Sequence, residues 1–169
     1  PATTGAVDTE ARFDRAYADI DISDSPLSFS VPSRRIRRTL ENLVGNAAAI
    51  MDVGCGQGGM LKVFHGLNSN ASLAGADFSQ VALDKSRQLL AGVSRLGLFR
   101  VDFDSDPLPA VSADLIYCAQ VIEHVRDDGL FVSKIYDALK PGAHLVLCSV
   151  FKKPYATYIY RNAKGERVL

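Results

Sequence analysis

Ala49-Ile50-Met51-Asp52-Val53-Gly54-Cys55-Gly56-Gln57-Gly58-Gly59 decides how the rest of this chain is read. Its apolar first half reads as a buried parallel strand. Its second half places glycine at alternate positions, the mark of a tight strand-to-helix turn where backbone comes close to a ligand. Gly54, Gly56 and Gly59 also satisfy Gly-x-Gly-x-x-Gly, the dinucleotide fingerprint, in which amides at the helix start face a pyrophosphate. Asp52, two residues ahead of the first glycine, argues against that ligand. A carboxylate repels phosphoryl oxygens and attracts an α-ammonium group. A cationic amino-acid moiety is therefore favoured, with a dinucleotide and a plain tight turn left as alternatives.

Outward from this stretch, strands and helices alternate. Apolar runs predict strands at 47–53, 72–76, 96–101, 115–118 and 143–150. Helices are predicted at 34–43 with Ser33 as cap, at 59–64, from Ser79 as cap through 90, and at 128–139. Pro141-Gly142 signals a turn into the last strand. The interval 102–114 is too short for a crossover helix and is expected to be loop. This order implies an α/β fold, a Rossmann-like doubly wound and mostly parallel sheet with helices on both faces. Within one structural domain, residues 1–42 form a helical cap, 43–150 the core, and 151–169 a basic and aromatic tail. A hairpin between 157–161 and 166–169 is expected in that tail.

Composition narrows the function classes. A chain of 169 residues suits one domain. Lys plus Arg and Asp plus Glu number 19 each, so there is no bulk attraction to nucleic acid or to a membrane surface. Arg34, Arg35, Arg37 and Arg38 read as a solvated helix surface. Cys55, Cys118 and Cys148 form no Cys-x-x-Cys pair and read as small buried hydrophobes in a reducing compartment. No apolar run approaches the ~20 residues that span a bilayer, and no signal-peptide pattern opens the chain. A cytoplasmic location is expected.

Asp-Val-Gly-Cys-Gly-Gln-Gly at 52–58 resembles the first motif of class I S-adenosylmethionine-dependent methyltransferases, and further stretches follow in that family's order. Gly75-Ala76-Asp77-Phe78-Ser79 resembles the end of the second strand, and Val101-Asp102-Phe103 the loop after the third. Residues 113–125, with Glu123-His124-Val125, resemble the fourth strand and its exit, and Leu139-Lys140-Pro141-Gly142 the approach to the fifth. The likeness covers roughly residues 43 to 150 and points to the subgroup acting on quinone precursors and other small molecules. It implies S-adenosylmethionine as cofactor and S-adenosylhomocysteine as product. That cofactor carries an ammonium and a sulfonium and no phosphate, in agreement with Asp52.

On this resemblance, Gly54, Cys55 and Gly56 bring backbone close to the methionine part, and Asp52 favours its ammonium. Asp77 accepts ribose hydroxyls or, alternatively, caps the next helix. Phe78 lies on the adenine or in the core. Asp102 accepts the adenine amino group and Phe103 offers an amide, with Asp104 and Asp106 as competing acids. Ala119 and Gln120 line the crevice near the sulfonium. His124 is the candidate general base, with a structural histidine as the equal alternative. Some relatives bind a divalent ion through Glu-x-x-Glu-His; here Gln120 takes the first position, a poor ligand for a hard cation, and no metal is expected. The implied reaction is methyl transfer to a small-molecule acceptor, at oxygen. RNA or protein methylation and a non-catalytic cofactor-binding subunit or fragment are the alternatives, and a homodimer is admitted. The family's sheet ends in two further strands, one antiparallel, and residues 151–169 hold no room for both, so an incomplete carboxyl-terminal end is expected.

Overall fold

The apolar run ahead of the glycines is β1 (Ala49–Val53), buried along nearly its whole length. β2 (Ser72–Asp77) and β4 (Ala113–Ala119) flank it, both parallel to it. β3 (Leu96–Arg100) adds to β2, and β5 (Leu139–Cys148) adds to β4, again parallel. The order is β3-β2-β1-β4-β5. The computed structural model describes Asp14 and residues 34–149. The Ser33 cap, the remainder of residues 1–33 and the tail hairpin lie outside the described residues.

Among the described residues four α-helices accompany the strands: α1 (Arg34–Asn46), α2 (Gly59–Leu67), α3 (Gln80–Leu89) and α4 (Asp128–Ala138). Alternation along the strands assigns them to two faces. Ile50, Leu73, Leu115 and Tyr117 pack with Leu40 and Val44 of α1, Leu61 and Phe64 of α2, and Leu83 of α3. Met51, Val53, Ala74, Ala76, Ile116 and Cys118 pack with Phe131, Ile135 and Ala138 of α4. The doubly wound sheet is thus sealed on both sides. Arg37 and Arg38 are exposed, as a solvated helix surface requires. Arg37 pairs with Glu41 one turn on, 2.9 Å away. Among the described residues no helix is long and apolar enough to cross a membrane. Nor is there a helix between β3 and β4.

β5 departs from expectation at its start. It opens at Leu139, opposite Ala113, and runs through Pro141-Gly142 before regular pairing begins at Leu115 and His144. The Pro-Gly pair is therefore a bulge inside the strand rather than a turn ahead of it, with Gly142 at φ 80°. The excess residues in β5 place Lys140 beside Asp114, Nζ to Oδ1 2.8 Å. The other oxygen of Asp114 accepts the amides of Ala48 and Ala49 at 3.0 and 2.8 Å. One carboxylate thus ties the starts of β1, β4 and β5 together.

Strand order reverses between β1 and β4: β2 and β3 extend one way from β1, β4 and β5 the other. The carboxyl ends of β1 and β4 therefore lie at the point where strand order reverses, the place where ligands bind in a crevice of such sheets.

Lys140 chiefly, with the Ala49 and Ala48 amides, holds the Asp114 carboxyl below its ordinary range. Its contribution is therefore complete above about pH 4 and is lost as pH falls through the depressed value. Asp114→Ala leaves two amides and an ammonium without this acceptor, and urea unfolding at pH 7 is expected to show a loss of ~1–3 kcal/mol, narrowing towards pH 3.

Candidate functional site

The bend after β1 is built by three residues with positive φ, Gly54 at 78°, Gly56 at 51° and Gly58 at 82°. A Cβ on Gly54 would stand 2.1 Å from Cγ2 of Val121, which comes from the exit of β4. A Cβ on Gly58 would stand 2.3 Å from Oγ of Ser86 on α3. The glycine that lets α2 settle against its neighbour is thus Gly58, whereas Gly59, the third glycine of the fingerprint, is the first residue of α2. The amides of the bend are turned inward. Gly54 and Cys55 both donate to the carbonyl of Ala76, at 2.7 and 3.0 Å, and Gly58 donates to that of Cys55 at 2.9 Å. Gly56 donates to Oδ2 of Asp77 at 2.8 Å. Four amides of the bend are committed to the protein itself. An open cradle of donors is what a pyrophosphate needs, and these four do not supply it.

Two acids lie under this bend. Asp52 and Asp77 are 3% and 4% exposed, and alternation puts both on the α1–α3 side of the sheet, with Gly75 between them in register. Asp77 is well supplied with donors, Gly56 at one oxygen and Ser79 at 2.9 Å at the other. Its pKa is nevertheless raised, burial outweighing those bonds. Asp52 accepts no hydrogen bond among the described residues. Burial first, and the charge of Asp77 second, push its carboxyl up to about 8. The buried thiol of Cys55 is raised well above the usual range by burial and by these same acids. A buried carboxyl with no donor among the described residues is costly to ionise, and the glycine bend lies directly after it in the chain.

β4 supplies the opposite wall. Ala119 is its last residue, and Gln120 follows in the left-handed region at φ 56°, uncommon for a residue with a side chain. Its amide is held by the carbonyl of Cys148 at 2.8 Å. Val121 then caps Gly54, and a single 3₁₀ turn, Ile122–His124, closes with the His124 amide on the Val121 carbonyl at 2.8 Å. The His124 imidazole is exposed. Glu123 accepts the Ser149 hydroxyl at 3.0 Å.

The loop after β3 sorts three acids that look alike in the sequence. Asp106 accepts the amide of Asp102 at 2.9 Å. Asp104 reaches across to the exit of β4, where it accepts the Arg126 amide at 2.8 Å and lies 3.3 Å from the Arg126 guanidinium. Asp102 is exposed and uses one oxygen for the amide of Asp104 at 3.0 Å. Phe103 turns its ring into the core against Phe131, centroids 5.7 Å apart. Phe78, next to Asp77, is half-buried. Ser79 caps α3 as expected, accepting the Ala82 amide at 3.1 Å, and its hydroxyl also donates to Asp14. Sequence reading gave no role to Val121 and Asp14, left Asp104 as one of three competing acids, and quoted Gly58 only as part of the motif. Only Gly58 carried a signal, its place in the alternate-glycine run.

Comparison with known proteins agrees with this geometry. Residues 51–145 match the family model described as a methyltransferase domain. Among curated proteins, ubiquinone biosynthesis O-methyltransferase of Chelativorans sp. (strain BNC1) is 32% identical over 108 residues, 60% of this chain and 40% of that protein. Its namesake in Marinobacter nauticus is 29% identical over 138 residues, 76% of this chain and 53% of that protein. The chain spans about half the length of the curated relatives it matches. Among solved structures, an S-adenosylmethionine-dependent methyltransferase from Mesorhizobium loti aligns at TM-score 0.62 and 29% identity, covering 79% of this chain and 61% of that one. The StiE O-MT domain aligns at TM-score 0.61 and 25% identity, over 74% of this chain and 47% of that one.

The position of Asp52 has a thermodynamic signature. Its folded value lies above its unfolded one, so the folded state holds an extra proton between about pH 4 and 8, and stability falls as pH rises through that window. Asp52→Asn, isosteric and neutral throughout, is expected to raise ligand-free stability. The gain grows from about pH 4, reaches on the order of 5 kcal/mol near pH 8 and then levels off, as read by thermal melts across that range.

Proposed function

The chain belongs to the class I S-adenosylmethionine-dependent methyltransferase family, and from that premise we propose that it transfers a methyl group from S-adenosylmethionine to a small-molecule acceptor, at oxygen. The observation that carries this reading is the buried Asp52 carboxyl, which accepts no hydrogen bond among the described residues and lies beside a bend whose Gly54, Cys55, Gly56 and Gly58 amides are engaged within the protein. Such a site suits an ammonium and rejects a diphosphate. Gly54, Cys55 and Gly56 then lend a smooth backbone surface to the amino-acid part, made possible by the side chain that Gly54 lacks. Asp77, braced by Gly56 and Ser79, fixes the bend and presents remaining lone pairs to the ribose hydroxyls, with Phe78 beside the adenine. Asp102 retains an oxygen for the adenine amino group, since Asp104 and Asp106 are engaged elsewhere, and Phe103 contributes backbone alone. Ala119 and Gln120 border the methyl-bearing sulfur.

The cofactor supplies an electrophilic methyl group whose sulfonium leaves as a neutral thioether. The protein's own task is alignment and exclusion of water. His124, exposed at the end of the turn that caps Gly54, stands on the acceptor side and takes the proton of an incoming hydroxyl. The O-methyltransferase relatives support oxygen as the receiving atom.

Calorimetric titration is expected to detect S-adenosylmethionine binding and none by NAD; tight NAD binding without S-adenosylmethionine binding would overturn the reading. For His124→Ala, turnover of an accepted phenol or enol is expected to fall roughly a hundredfold with cofactor affinity unaltered. Undiminished turnover would remove the base role.

A further inference from the structure

Asp52 occupies an environment with a single sign of charge. Its in-register neighbours on either side are Gly75 and Tyr117. From β2, the charged group that bears on it is Asp77, which raises its pKa further. Asp14 in turn acts on Asp77 in the same sense. The bend contributes Cys55, and β4 contributes Cys118, whose thiol is pushed up to about 12 by burial, Asp52 and Glu123. The Tyr117 hydroxyl is engaged with Cys148. The described helices on this face contribute Leu40, Val44, Leu61, Phe64 and Leu83 to its packed apolar layer. Carboxyl and thiol groups thus gather at the bend, β1 and β2, with Cys118 on the other face of the sheet, and no lysine, arginine or histidine of these elements offsets them.

Resting on the cofactor reading above, we infer that docking of the cofactor's ammonium group against Asp52 discharges a proton to solvent, so that the crevice holds its ligand more tightly as pH rises towards 8. The exchange balances as a neutral carboxyl plus an ammonium giving a carboxylate–ammonium pair plus one hydrated proton. No covalent bond other than O–H breaks, and no electrons change hands.

The geometry explains why the proton is there to be lost. Asp77 is spanned by backbone amides and has partners for its charge. Asp52 has none among the described residues, so in the ligand-free protein the proton is the group that satisfies it. An ammonium brings the missing positive charge and three donors, and the ionised form becomes the favoured one. The response reverses once the ligand's own α-amino group begins to lose its proton, at about pH 8. Affinity is therefore expected to pass through a maximum near that pH.

The test is calorimetry of the 169-residue chain with S-adenosylhomocysteine at pH 7, repeated in buffers of different ionisation enthalpy. S-adenosylhomocysteine carries the ammonium and is chemically stable, and 5′-methylthioadenosine keeps the nucleoside while lacking the amino acid. The expected result is release of about 0.5–1 proton per S-adenosylhomocysteine bound, with affinity rising roughly three- to tenfold per pH unit from pH 6 to 7.5. Methylthioadenosine should bind with little release, and Asp52→Asn should abolish the release seen with S-adenosylhomocysteine. Binding of S-adenosylhomocysteine without net proton release, or equal release with methylthioadenosine, overturns the inference and leaves the cofactor reading standing. Failure of both nucleosides and of S-adenosylmethionine to bind at any pH removes the cofactor reading, and the inference with it. Because methylthioadenosine is tested on the unaltered chain, the outcome does not depend on how well the Asp52 variant folds or binds.

Discussion

A carboxyl group buried without a donor is the constraint from which the rest of this molecule can be understood. Protein interiors tolerate such a group only where something else compensates it, a proton or an arriving cation. Asp52 is placed in the middle of the sheet by β1, closed over by the glycine bend and walled by β4. The cost is borne by the core around it. Two apolar layers, one under α1–α3 and one under α4, hold the central strand rigid enough to keep an unfavourable group where it is.

The bend and the second acid serve that arrangement. Asp77 draws in the Gly56 amide, and the Ala76 carbonyl draws in those of Gly54 and Cys55. This inward commitment of donors is what separates the crevice from a phosphate cradle, although both share a glycine pattern. The distinction lies in where hydrogen bonds go, and a pattern of glycines alone does not encode it. Asp52 does encode it, by its sign and its position.

Much of this was legible beforehand because it depends on local chemistry. Strand alternation, the Ser79 cap and the reversal of strand order follow from apolar periodicity and short connections, and they emerged where expected. What was not legible depends on contacts between distant segments. Asp102, Asp104 and Asp106 are equivalent in sequence, and only the approach of Arg126 distinguishes Asp104. Asp114 gives no sign of its role because its partners include amides 66 and 65 residues away. Pro141-Gly142 has the composition of a turn, and it becomes a bulge because Lys140 must reach Asp114 while β5 still pairs with β4. Gly59 and Gly58 are adjacent and chemically identical. The contact with Ser86 that selects Gly58 exists only once α2 and α3 are docked.

The link between Asp104 and Arg126 joins the two rims of the crevice across the sheet, one leaving β3 and the other following the His124 turn. A shift of the loop after β3 therefore acts on the exit of β4 through this bond, without passing through the sheet.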